Sequence, residues 1–273
     1  MQTVHYNSLN LDIVQTREEI PAPARHPLHA HEYYEVCWFK EGKGVYHIEG
    51  NEYPLEPGDL VLIRPREAHY VEVDPGQPFE RILFSFGATL LRTLDPDESF
   101  QAPLQLPQPG TQNLYPFREF PQLHGPLETM LIPNSSRGDI LIGLIRFLQL
   151  LNEAYIQAPP MYEQKETVER RIIRLINDNY HLELSLQELC DQFYISRAQL
   201  CRRFKKATGS SIGKYIMLKR MDAAQRLIVQ GRKLSEVCSL CGFQDYSTFY
   251  RTYTRHFGRS PKKGTIPREK ETK

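Results

Sequence analysis

The chain of 273 residues is 40% hydrophobic and 25% charged, the balance of a globular protein with room for two domains. Its start, MQTVHYNSLNLD, lacks the basic stretch and apolar run of a signal peptide, and its most apolar segment, Ile140 to Leu151, is interrupted by Arg146 and falls far short of the roughly 20 residues that span a bilayer. Five cysteines (Cys37, Cys190, Cys201, Cys238 and Cys241), an odd number without an export signal, read as reduced thiols, so the expected location is the cytoplasm, with no membrane contact.

The net charge of +1 hides a division. Residues 161–273 hold 23 Lys and Arg against 12 Asp and Glu, while the rest of the chain holds 11 against 21. A basic half of this kind suits the phosphates of nucleic acid; the acidic half does not.

In chain order, the first motif is HPLHAHEYYEVCWFKEGKG, His26 to Gly44, where His29, His31 and Glu35 are potential metal ligands. Alternate residues of an extended segment share one side, so His29 and His31 can face inward together, with His69 further on as a fourth candidate. From Tyr33 to Phe86 short β-type runs (YYEVCWF, GVYHIE, EYPLE, DLVLIRP, HYVEV, RILFSF) alternate with turn signals, EGNE at Glu49 to Glu52 and EPGD at Glu56 to Asp59 among them. Strands at this spacing predict a small barrel or sandwich. Seven prolines between Asp95 and Pro126 predict irregular backbone wrapped over it.

The period then changes. In RGDILIGLIRFLQLLNEAY the residues Ile140, Leu141, Leu144, Ile145, Leu148 and Leu151 recur at three and four, an apolar helix stripe that either covers the β-rich part or pairs with its copy in a second subunit. IQAPPMY, Ile156 to Tyr162, reads as a Pro-rich linker and domain boundary.

Beyond it every pattern is helical. SLQE (Ser185 to Glu188) and SRAQ (Ser196 to Gln199) fit the capping box, so two helices start eleven residues apart around a short turn, the helix-turn-helix plan. The plan repeats: Cys190 corresponds to Cys238 at an offset of 48, and Leu200, Phe204 and Gly209 to Phe249, Tyr253 and Gly258 at 49. Between the units, Ile212 to Ile228 suits one continuous helix ending near Gly231; about 18 residues make about 27 Å, comparable with the roughly 34 Å between successive turns of the major groove.

Leu200 and Phe204 face the core of the first unit, which leaves Ala198, Cys201 and Arg202 to read base edges, Arg202 by a bidentate contact with guanine. In the second unit Phe249 and Tyr253 face inward, and Tyr246, Ser247, Tyr250 and Arg251 are the readers. Arg197, Arg203, Lys205, Lys206, Thr254 and Arg255 are the expected phosphate contacts. CSLC, Cys238 to Cys241, has half-zinc-site spacing, but no second pair follows and the helical repeat already accounts for both positions. Gly242 suits a tight turn, and Asp245 a helix cap.

The stretches ISRAQLCRRFKKATGSSIGKYIMLKRMDAAQRLI and SEVCSLCGFQDYSTFYRTYTRHFGRSP resemble the DNA-binding domain of the AraC/XylS family of bacterial transcription regulators, over about residues 165 to 268. The N-terminal half, with HxHxxxE(x)6G at His29 to Gly42 and PGDLVLIRPREAH at Pro57 to His69, resembles the cupin-type sensor domain of many such regulators. The resemblance implies an α+β protein of two domains, a cupin-like β-barrel with flanking helices and an all-α dual helix-turn-helix. It divides the chain into a sensing barrel (1–133), a dimerisation or barrel-packing helix (134–158), a linker (159–163), the DNA-binding domain (164–268) and a tail (269–273). It also implies an activator rather than an enzyme, working as a homodimer with double-stranded promoter DNA, a small-molecule effector such as a sugar, and RNA polymerase.

The expected effector pocket is lined by His29, His31, Tyr33, Glu35, Trp38, Tyr46, His69 and Phe84. No cofactor is required by this reading. The alternative is a divalent metal on His29, His31, Glu35 and His69, making the barrel a metal-dependent cupin enzyme or a metal sensor joined to the reader. No P-loop, Rossmann or Ser/His/Asp signature competes.

Overall fold

The computed structural model describes every residue except 1, 9, 22–26, 107, 158–165 and 262–273, so the linker expected at 159–163 and the tail at 269–273 lie outside the described residues. The chain folds as two compact units, residues 1–27 with 33–165 and residues 28–32 with 166–273.

In the first unit the strands are β1 (Gln2–Asn7), β2 (Leu11–Glu18), β3 (Tyr33–Glu41), β4 (Gly44–Ile48), β5 (Asn51–Leu55), β6 (Leu60–Ile63), β7 (His69–Val73) and β8 (Phe79–Gly87). They are followed by α1 (Ala88–Leu94), β9 (Leu114–Tyr115), α2 (His124–Met130) and α3 (Arg137–Gln157). The strands form two sheets, one of six in the order β1-β2-β8-β3-β6-β9 and one of three in the order β5-β4-β7. The two sheets enclose a shared apolar interior, the β-rich domain with flanking helices that was expected, although among the described residues their pairing does not close the barrel. The EGNE turn is the predicted hairpin: Ile48 pairs with Asn51, and Glu49 and Gly50 both take positive φ, the type I′ geometry that matches strand twist. Pro54 lies on β5, an edge strand, where a missing N–H costs least.

Period-two alternation gives the six-stranded sheet two apolar faces. Cys37 and Phe39 of β3, Val61 and Ile63 of β6 and Phe79 of β8 cluster with Tyr46, Ile48, Tyr53, Leu55, Val71 and Val73 of the smaller sheet. Their neighbours in sequence, Val36, Trp38, Leu60, Leu62, Ile82 and Phe84, face the helices instead. There α3 buries Ile140, Leu144, Phe147, Leu148 and Leu151 in the same cluster. The predicted stripe therefore covers the sheet, and α3 ends at Gln157, inside the helical segment expected at 134–158 and two residues into the Pro-rich stretch Ile156 to Tyr162.

The Pro-rich segment is irregular as predicted, apart from two single 3₁₀ turns, the two-residue β9 and α2. A buried polar tie holds it down. Arg64 donates from Nε to Pro103 O (2.7 Å), from Nη1 to Thr111 O (3.0 Å) and from Nη2 to Gln112 O (3.2 Å), while Glu67 accepts from Gly110 N (2.7 Å) and Asn113 Nδ2 (2.7 Å). Side chains at Arg64 and Glu67 thus satisfy backbone groups of this segment that lie outside its turns and its short pairing with β6.

The second unit contains α4 (Val168–Asn179), α5 (Leu186–Phe193), α6 (Arg197–Thr208), α7 (Ile212–Val229), α8 (Leu234–Leu240) and α9 (Tyr246–Phe257). Both predicted capping boxes are formed, Ser185 with Glu188 and Ser196 with Gln199, and Asp245 accepts from Thr248 N at 2.8 Å. The spacer α7 has the expected 18 residues and starts on Ser211, whose hydroxyl accepts from Lys214 N. Gly209 and Gly258, paired by the repeat, end α6 and α9 at φ of 67° and 66°.

Candidate nucleic-acid interface and sensor interior

The two recognition helices present what the sequence assigned to their free faces. On α6, Leu200 and Phe204 are 1% exposed, while Arg197, Ala198, Cys201, Arg202, Lys205 and Lys206 are exposed. On α9, Phe249 and Tyr253 are buried and Tyr246, Ser247, Tyr250, Arg251 and Arg255 are exposed. Two of the expected phosphate contacts are corrected. Arg203 is committed elsewhere: its Nε donates to Glu169 Oε1 and its Nη2 to Glu169 Oε2 at 3.2 Å, tying α6 to α4. Burial pulls the Glu169 carboxyl upward, but the hydrogen bond and charge of Arg203, with hydrogen bonds from Thr167 and the Glu169 backbone, together hold the group below its ordinary value. Thr254 is half-buried with its hydroxyl enclosed, because it follows Tyr253 on the helix and shares the edge of the core face.

The free face of α6 therefore offers Arg202 as its long planar donor, flanked by the small Ala198 and Cys201. That of α9 offers Arg251 beside a pair of aromatic rings, Tyr246 and Tyr250, with centroids 6.2 Å apart. Such rings and guanidinium groups supply stacking, thymine-methyl contact and bidentate hydrogen bonds at base edges. Cys238 and Cys241 are buried, Cys238 donating to Phe243 O, and burial pushes the Cys241 thiol up to about 12; both serve the core, as the repeat implied.

In the first unit, strand alternation sorts the expected effector residues. Glu35, Tyr46 and His69 are buried, and their strand positions carry them to the face between the sheets. Tyr33 is half-buried at the start of β3. Trp38 and Phe84 are corrected: they lie on the opposite face, against the helices, with the Trp38 ring edge-on to His124 at 4.9 Å. Their parity is the reason, since Trp38 is three residues from Glu35, an odd number, and so points the other way.

Two groups escaped the sequence reading. Cys37, two residues after Glu35, is buried beside Tyr46, and Arg81 of β8 donates from Nη1 to Tyr46 Oη at 3.4 Å. Glu35 and Glu18 also face Arg81. Burial pushes the Cys37 thiol up to about 12 and the Tyr46 phenol well above its ordinary range, so both are protonated donors at neutral pH. The signal for Arg81 was its parity with Phe79 and Leu83, masked by the usual placement of arginine on solvent.

His29 and His31 lie side by side, with ring centroids 5.9 Å apart, in the unit that holds residues 28–32, whereas Glu35 and His69 belong to the other unit. His69 Nδ1 lies 2.8 Å from Glu67 O, a carbonyl that only accepts, so Nδ1 carries the proton and Nε2 is the unprotonated ring nitrogen.

No helix among the described residues is long and apolar enough to cross a membrane. A family model described as an AraC-like ligand binding domain matches residues 14–151, and one described as a helix-turn-helix domain matches residues 189–264. The transcriptional activator RhaS of Yersinia pseudotuberculosis serotype I (strain IP32953) is 26% identical over 248 residues, 86% of this chain and 88% of the relative. ToxT of Vibrio cholerae, a solved structure, aligns with a TM-score of 0.41 at 11% identity, over 92% of this chain and 96% of that one. With a ligand-binding model covering half the chain and a DNA-binding model covering the repeated helical part, the chain belongs to the AraC family of transcription regulators, which are not enzymes.

Proposed function

We propose that this regulator is a cytoplasmic, homodimeric activator that recruits RNA polymerase when a small polar metabolite, a sugar being the leading class, occupies the space between its two sheets. The carrying observation is the polar set Glu35, Cys37, Tyr46, His69 and Arg81, assembled within an otherwise apolar interior. Burying charge and hydroxyl groups is costly, and such sets are retained where they bind something. They combine acceptors and donors at short range, the requirement for recognising vicinal hydroxyl groups. The relative named as an activator supports the direction of control. On α3, Ile142 and Ile156 are 66% and 69% exposed on the side turned away from the sheet, which supports a contact with a second copy.

The effector acts by shifting a population between states that differ in DNA affinity. Thermal-shift screening of purified protein against sugars and related metabolites identifies the ligand, and DNA binding is then measured with and without it. A compound that raises the melting temperature and also changes promoter affinity is the expected result. Equal affinity with and without every stabilising compound overturns the coupling.

The adjacent rings of His29 and His31 support a second reading, in which the effector is a divalent transition metal. The same screen repeated with zinc, nickel and a chelator separates the two. Metal stabilisation lost in His31→Ala supports this reading; no response to any ion overturns it.

A further inference from the structure

Arg220, in the middle of α7, carries no expected contact with DNA, yet its side chain holds three backbone carbonyls. Its Nε donates to Tyr180 O at 2.7 Å, Nη1 to Gly242 O at 2.8 Å and Nη2 to Leu182 O at 2.9 Å. Tyr180 and Leu182 belong to the segment that leads from α4 into the first helix-turn-helix; Gly242 is the turn of the second. At that turn the two units touch through backbone. Gly242 has φ +76°, and a Cβ placed on it would sit 2.3 Å from His181 O. The Arg220 guanidinium also lies over the Phe243 ring, 5.8 Å from its centroid.

We propose that Arg220 is the positioning residue that fixes the register between the two recognition helices, and with it the spacing of the two DNA elements that the protein reads as one site. The inference rests on the reading that α6 and α9 both enter the major groove. The 18-residue α7 sets a length between the units, but a single helix leaves the rotation of each unit about its ends undetermined. Three hydrogen bonds in the fixed plane of one guanidinium remove that freedom, because all three acceptors are backbone atoms rather than side chains free to turn. The clamp joins the entrance of one unit to the turn of the other, where a small change of angle moves α9 furthest relative to α6.

The test uses full-length protein and a duplex enriched from a random pool by that protein. Binding is compared on this duplex, on a duplex with one element scrambled, and on a series with up to about half a helical turn, roughly 5 base pairs, inserted between the elements. Wild-type protein is expected to prefer one spacing sharply. Arg220→Met is expected to bind the single-element duplex as the wild type does, to lose about tenfold or more on the two-element duplex as the linked second contact is weakened, and to show a flattened spacing profile. Arg220→Lys, which keeps the charge but cannot hold three carbonyls, is expected to fall between them and decides the matter if the methionine variant does not fold. A spacing-dependent wild type whose ratio and profile are matched by the folded variants overturns the clamp alone. A wild type indifferent to spacing overturns the dual reading and the clamp with it. Equal losses on both duplexes would mark a merely structural role and also overturn the proposal.

Discussion

The two helix-turn-helix units follow one plan and solve it differently at a single point. Both turns need a left-handed residue; the first uses Tyr194 at φ 52° and the second Gly242 at φ 76°. The Tyr194 side chain is 96% exposed at the rim of an open cleft of about 620 Å³ between α5 and α6, so a Cβ there meets no obstacle. Gly242 lies against the His181 backbone, where a Cβ has no room. The left-handed conformation alone therefore does not require glycine in this fold; close approach of a second backbone does. The first turn bears the conformational cost of a non-glycine residue, about 1–2 kcal/mol, and keeps an exposed aromatic ring.

The largest expected effects test whether the units are equivalent beneath that difference. Phe204→Ala and Phe249→Ala each empty a fully buried site, and each is expected to cost about 3–5 kcal/mol in denaturant unfolding. A loss confined to one of them would mean that the units do not share a cooperative core.

Next is the turn itself. Gly242→Ala is expected to cost about 2 kcal/mol or more, combining left-handed strain with the His181 clash, whereas Tyr194→Gly is expected to gain about 0.5–1 kcal/mol. Equal and opposite changes would show that only φ matters, which contradicts the close-approach explanation.

The reading faces follow. Arg202→Ala and Arg251→Ala are each expected to weaken specific DNA binding by about 1–3 kcal/mol in anisotropy titrations, with non-specific binding little changed. Unchanged footprints in both would remove the assignment of α6 and α9 as readers.

The smallest effect is a pH dependence peculiar to the first unit. Because the folded-state pKa of Glu169 is held below its ordinary value of 4.5, the Arg203 pair adds stability that is complete above that value and is lost as the pH falls through the lower folded value. Glu169→Gln is expected to lower stability at neutral pH by less than about 1 kcal/mol, since the pair is partly exposed, and to match the wild type at the acid end, so that the acid limb of the melting curve is flatter. An unchanged acid limb would show that the contact is not populated in solution.

In the helical half, local interactions settle much of the architecture. A serine cap, its partner three residues on and a buried side chain four residues apart all act within one or two turns of helix, so Ser185, Ser196, Asp245, Leu200 and Phe204 disclose their roles by spacing alone. The outward faces of α6 and α9 follow from the same arithmetic. What the sequence leaves open depends on distant partners. Arg203 resembles any basic residue on a recognition helix until Glu169, 34 positions earlier, folds against it. The strands from Tyr33 to Phe86 are visible as strands. With both faces of the larger sheet apolar, however, nothing local shows which parity looks toward the smaller sheet, so Trp38 and Phe84 are assigned to the wrong side and Arg81 is passed over. Sequence by itself determined the two-part organisation, the paired helix-turn-helix units and their caps, because these rest on contacts within a few residues. Tertiary structure alone decided the open pair of sheets, the polar interior around Arg81 and the three-carbonyl grip of Arg220, because each joins segments far apart in the chain.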